Sequence, residues 1–168
     1  QKWKEDLVNI TLIHCAGSKI DALSKNYSIE DWNTVIDINL KGDFMLTQAL
    51  LPIMIKNNWG RLIHMSSKGA LEGDVGTIAY SASKSGLIGM SRVLGKEYAR
   101  FNVTSNVVLL GAFETGLYLK LSSDQKSNIL KKIPSKKLGN PSNIINAIEF
   151  LIKSEYVNAS KINIDGGV

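Results

Sequence analysis

Short apolar runs alternate with long amphipathic stretches along this chain, and no other feature limits its possible folds as strongly. NITLIHCAG (residues 9–17), RLIHMSS (61–67), VTSNVVLL (103–110) and SKINIDGG (160–167) have the length and apolar density of buried parallel strands. Between them lie helical patterns. One spans residues 28–58, opened by Ser28 as N-cap with Asp31 near the capping-box position, and with Gly42 and Pro52 as bends. A second runs from about Ala79 to Phe101, and a third from Pro141-Ser142 to about Lys153. Residues 68–78 read as a glycine-rich loop, and the lysine-rich part of 112–140 as a helical insertion. Strand, helix and strand in this order predict right-handed crossovers and a parallel sheet covered on both faces, the α/β class.

The 168 residues, 44% hydrophobic with a mean hydropathy near zero, fit one soluble domain with room for a sizeable core. No apolar run approaches the roughly 20 residues that span a bilayer, and QKWKED at the start is too charged for a signal peptide. The chain is therefore read as cytoplasmic, with no membrane partner. A single cysteine, Cys15, makes no internal disulfide. His14, Cys15 and His64 read as packed interior residues rather than ligands, so no metal is expected. The net charge of +5 is concentrated in residues 116–140, where six lysines face only Asp124. That window reads as a solvated helical face, or as an attractor of an anionic substrate or acidic partner. No aromatic residues interleave with the lysines, which argues against a nucleic-acid surface.

In open parallel sheets, ligands bind beyond the carboxyl ends of the strands. Those ends are Cys15-Ala16-Gly17, Ser66-Ser67 and Leu110-Gly111, and YSASK (80–84) opens the helix that follows the second. Tyr80 and Lys84, four residues apart, share one helix face. A free phenol is a sluggish proton donor at neutral pH, and a nearby cation stabilises its phenolate. Ser67, Tyr80 and Lys84 together supply a hydroxyl to position a carbonyl or alcohol oxygen, a phenol to exchange its proton and an ammonium to support the phenolate.

These residues resemble the short-chain dehydrogenase/reductase family, in particular its 3-oxoacyl-acyl-carrier-protein reductase-like members. The resemblance spans essentially the whole chain and rests on an ordered set of motifs. They are HCAG (14–17), DINLKG (37–42), SS (66–67), YSASK thirteen residues later, NVVLLGAFETG (106–116) and INIDGG (162–167). It implies the C-terminal part of a doubly wound, Rossmann-like sheet of about four parallel strands. Residues 1–168 would form a single incomplete domain, with 112–140 as a substrate-side insertion. It also implies a nicotinamide-dependent oxidoreductase of a carbonyl/alcohol pair, with 3-oxoacyl-thioester reduction as one candidate. The implied catalytic residues are Asn39, Ser67, Tyr80 and Lys84, Asn39 anchoring a water in a relay to Lys84. On the residues alone, Asn39 reads as a solvent-facing polar group inside a helix. NAD or NADP would be bound by Cys15, Ala16, Gly17, Tyr80, Lys84, Gly111, Phe113 and Thr115. The implied assembly is a homodimer or homotetramer.

Three departures carry expectations of their own. His14 and Cys15 replace the family's paired asparagines, which removes an amide brace at the first strand end. Leu110 stands where the family has proline, which loosens the loop meeting the nicotinamide. The family's glycine-rich pyrophosphate turn has no counterpart in these residues, so the choice between NAD and NADP is not encoded here. The stretch in hand is expected to be weakly active or inactive alone, with an uncovered sheet edge at its first strand. Two other classes stay open: a non-catalytic Rossmann-type binding or scaffolding protein, and a nucleotide-sugar epimerase or dehydratase, which shares YxxxK.

Overall fold

The computed structural model describes residues 7–168; QKWKED lies outside the described residues. Four strands, β1 (Ile10–His14), β2 (Gly60–Ser67), β3 (Val103–Leu110) and β4 (Lys161–Ile164), form one sheet in the order β1-β2-β3-β4. Every pairing is parallel, as the alternation of patterns predicts. The register sets His14 beside His64 and Ser67 beside Leu110, which brings three strand ends to one edge.

The helices are α1 (Ile29–Ile36), α2 (Gly42–Lys56), α3 (Gly69–Glu72), α4 (Ile78–Tyr98), α5 (Ser123–Lys132) and α6 (Pro141–Lys153). Ser28 caps α1 by accepting from the Asp31 backbone N–H at 3.0 Å, and Asn140 caps α6 through Ser142. α5 opens with a full capping box between Ser122 and Gln125. The periodic stretch after Ser28 is not one uniform helix. A π-helical turn, Asp37–Lys41, separates α1 from α2, while Pro52 stays inside α2. The loop expected over 68–78 also contains a short helix, because Lys68 turns directly into α3.

Two apolar layers enclose the sheet. Leu62, Val103, Leu51, Met54 and Leu94 pack the face covered by α2 and α4. Ile63, Met65, Val108 and Leu151 pack the face covered by α6. Neighbouring β2 residues Leu62 and Ile63 enter opposite layers, as strand geometry requires. β1 is an edge strand, as expected for the first strand, and its apolar run is less buried than its composition suggests, Ile13 being 37% exposed. At the other end of β2, buried Arg61 donates to the Gly60, Asn102 and Ile152 carbonyls, fastening β2 to the chain before β3 and to α6. Among the described residues, no helix is long and apolar enough to cross a membrane.

Candidate active site

The ends of β1, β2 and β3 and the start of α4 enclose a cleft of about 540 Å³. Ser67, at the last position of β2, accepts from the Gly69 N–H at 3.2 Å and faces this cleft. A methyl group placed on Gly69 would sit 3.6 Å from Ser67 Oγ and 3.9 Å from Tyr80 Cε1. The hydroxyl and the phenol therefore reach the same small volume. Lys84 lies one helical turn beyond Tyr80, with its Nζ 6.0 Å from the phenol ring centroid.

Lys84 is only 6% exposed, and its Nζ donates to the Met65 carbonyl at 2.7 Å. Burial pulls the ammonium below its ordinary pKa, an effect opposed by Asp43 and by Cys15. Ser66 Oγ donates to the Lys84 carbonyl at 2.9 Å, which ties α4 to the end of β2.

Asn39 occupies the middle of the π-helical turn and is 2% exposed, so the solvent-facing reading from its sequence context is wrong. Its Oδ1 accepts from the Ser18 N–H at 2.7 Å, and its Nδ2 donates to the Ser18 carbonyl and to Ser83 Oγ at 2.9 and 3.0 Å. Because both amide protons are committed, any water it anchors must donate to Oδ1. A methyl group on Gly17 would lie 3.7 Å from Lys84 Nζ and 3.8 Å from Asn39 Oδ1. Ser67, Tyr80 and Lys84 thus line one cleft, while Asn39 is buried behind its wall at Gly17 and Ser18.

Of the other residues singled out from the sequence, Cys15, Gly17, Gly111, Phe113 and Thr115 line the cleft, and Ala16 does not. Phe113 is held by a parallel bridge to Gly139, where its ring occupies the space a side chain would need. Sequence reasoning missed the Met65 carbonyl and the apolar wall formed by Leu121, Ile129, Ile133 and Ile144. Ile129 and Ile133 recur at i, i+4 in the lysine-rich stretch, a signal that could have marked the wall. It also missed Asp43. The expectation that His14, Cys15 and His64 are packed interior residues holds for the two histidines, which are buried with Asp43 between them, and fails for Cys15, which is exposed at the strand end.

A parallel sheet with helices on both faces, and a serine, a tyrosine and a lysine at its carboxyl edge, defines a Rossmann-like α/β protein. The sequence model of the short chain dehydrogenase family matches residues 4–126, and the chain belongs to that family. It is similar to the 3-oxoacyl-[acyl-carrier-protein] reductases FabG of Aquifex aeolicus (37% identity) and Thermotoga maritima (39%). Each match covers 94% of this chain and, respectively, 64% and 65% of the relative, so the chain spans about two-thirds of their length. Among solved structures it resembles an Agrobacterium tumefaciens protein described as a candidate 2-deoxy-d-gluconate 3-dehydrogenase, with bound NADP. That likeness has a TM-score of 0.89 at 28% identity, over 98% of this chain and 70% of that one.

Proposed function

We propose that this chain carries the catalytic part of a cytoplasmic NAD(P)-dependent oxidoreductase that interconverts a carbonyl and an alcohol, with 3-oxoacyl thioesters as the favoured substrate class. The observation that carries the reading is the convergence of Ser67 and Tyr80 on one point of the cleft, with Lys84 behind them. Residues 112–140 form the substrate side. Their apolar wall suits an acyl chain, and the similarity to two 3-oxoacyl-acyl-carrier-protein reductases supports the same class.

The donors present fit a nicotinamide nucleotide. Lys84 has three N–H donors and spends one on Met65, leaving two for ribose hydroxyls in the cleft. Cys15, Gly17, Gly111, Phe113 and Thr115 would flank the nucleotide. Once bound, it would supply the hydride. Ser67 Oγ would donate to the substrate carbonyl oxygen and hold it against Tyr80, which would give its proton to the oxygen as that atom gains charge. Lys84 would stabilise the phenolate left on Tyr80, and Asn39 would hold the turn after β1 against α4.

The test is NADPH or NADH oxidation by the whole protein that carries this chain, with short 3-oxoacyl thioesters and a panel of ketones. Turnover of at least one carbonyl is expected. Cofactor binding with no turnover across the panel would instead establish the non-catalytic binding class.

We also infer a homodimer or homotetramer. Ile38, Phe44, Met45 and Leu46 along the α1–α2 helix and Val93 on α4 are apolar and 42–57% exposed. Gly89 on α4 has no neighbour within 4 Å of where a side chain would start, so a second helix can approach closely there. Light scattering at micromolar concentration should return at least twice the monomer mass, and a monomer would refute the inference.

A further inference from the structure

A buried polar network lies beneath Lys84 on the α2–α4 face of the sheet. Asp43 on α2 accepts from His64 Nδ1 at 2.9 and 3.0 Å, and its Oδ1 lies 3.1 Å from His14 Nε2. His64 Nε2 meets Ser105 Oγ at 3.0 Å, Ser105 meets Ser91 on α4 at 2.9 Å, and His14 Nε2 also meets Thr47 Oγ1 at 3.2 Å. The two imidazole rings are stacked, 4° from parallel with centroids 5.3 Å apart. The three side chains, His14, Asp43 and His64, each offer one possible metal-ligand atom within 4.8 Å of the other two.

The charges in this layer do not otherwise balance. Among the described residues the buried charged groups besides histidine are Asp43, Arg61 and Lys84. Arg61 lies at the opposite end of β2 and is satisfied by carbonyls. That leaves one buried anion and one buried cation. Lys84 Nζ and Asn39 Oδ1 approach the same point beside Gly17, and Asp43 follows Asn39 by one turn on the same buried helix face. Coulombic attraction falls off only as the inverse of distance and is weakly screened in a buried layer, so a carboxylate there acts on an ammonium it does not touch.

We propose that Asp43, fixed by His14 and His64, is the buried counter-charge that keeps Lys84 an ammonium, and so acts as a positioning residue for the reaction at Tyr80. The part concerning Tyr80 rests on the oxidoreductase reading; the part concerning Lys84 does not. Desolvation of Lys84 works against its charge, and Asp43 is the largest influence opposing it. The other titratable groups near Lys84 are Cys15 from the turn after β1, His14 on β1 and Tyr80 on its own helix, and Lys19, Lys68, Asp74 and Lys132 line the same cleft. Among the carboxylates near Lys84, Asp43 is the buried one.

The experiment follows the Lys84 side-chain NMR signal, assigned with Lys84→Arg, against pH in the protein and in Asp43→Asn. The ammonium form is expected to persist at pH 7 in the unmodified protein, and an amine there would overturn the proposal outright. In Asp43→Asn the midpoint should fall by about one unit, a tenfold shift toward the amine at fixed pH, and Asp43→Glu should restore most of it. The alkaline limb of the kcat/KM profile should move down in parallel. Should Asp43→Asn fail to fold, Asp43→Leu with His64→Met removes the anion while His14 keeps Thr47 and Ser105 keeps Ser91, and the same fall is expected. A folded variant with an unmoved Lys84 midpoint would reduce Asp43 to a structural role. A moved midpoint with no turnover of any carbonyl would preserve the proposal for Lys84 and refute the oxidoreductase reading instead.

Discussion

In the whole protein that carries this chain, Tyr80→Phe is expected to lower turnover at least about 100-fold, the scale of a lost general acid, while leaving the fold intact. The two parts of this expectation have separate grounds. The phenol faces the cleft, and among the described residues its hydroxyl makes no hydrogen bond, so removing it orphans no partner. The ring survives in phenylalanine and keeps its place beside Gly69 and near Lys84. The measurement is kcat under saturating cofactor alongside a thermal melt of both proteins. Activity within a few-fold of the unmodified protein would remove Tyr80 from proton transfer, and a large loss of melting temperature would show that its role is structural.

Acid should destabilise the protein through His14. Burial lowers its pKa from 6.5 to about 4; Asp43 opposes this, and His64 and Lys84 reinforce it. The unfolded chain therefore binds a proton between these two values that the folded protein refuses. Stability from this residue is complete above about pH 6.5 and drains away as the pH falls toward 4. The loss over that window is about 3 kcal/mol, a shift of more than 100-fold in the folding equilibrium. Urea midpoints at pH 7 and pH 4.5 test this when His14→Gln is measured in parallel, because glutamine can still donate to Asp43 but does not titrate. The unmodified protein should lose markedly more stability than the variant over this interval. Equal losses would assign the acid sensitivity to other groups.

The strands were legible because fully buried parallel strands leave near-continuous apolar runs, and β3 has the boundaries its sequence suggests, Val103–Leu110. Helix α6 was equally plain, since Asn140 and Pro141 mark its start and Lys153 its end. Ser67, Tyr80 and Lys84 could be placed together because they stand at a strand end and in the first turns of the next helix, positions that topology alone brings to one edge. The burial of Asn39 could not be read, since it depends on hydrogen bonds to Ser18 and Ser83, 21 and 44 residues away. Asp43 escaped notice for a similar reason. An aspartate within an amphipathic helix ordinarily belongs to the solvent side, and only the two histidines on β1 and β2 make its interior position tolerable. The edge position of β1 was legible only through the family resemblance, because its composition matches that of its buried neighbours.

The π-helical turn has a bearing on the whole row of residues beneath the sheet. The buried positions of the α1–α2 helix are Val35, Asn39, Asp43, Thr47, Leu51 and Met54, a stride of four residues that shortens to three only at the end. An unbroken α-helix advances one turn every 3.6 residues, so a stride of four would wind steadily off any one face. Underwinding between Asp37 and Lys41 absorbs much of that drift. One local loosening of the coil thus lines up an amide, a carboxylate and a hydroxyl like beads on a straight wire. Tightening that turn by a single residue would leave both helical halves able to bury their apolar ends, yet it would swing Asn39 out of line with Asp43 and Thr47.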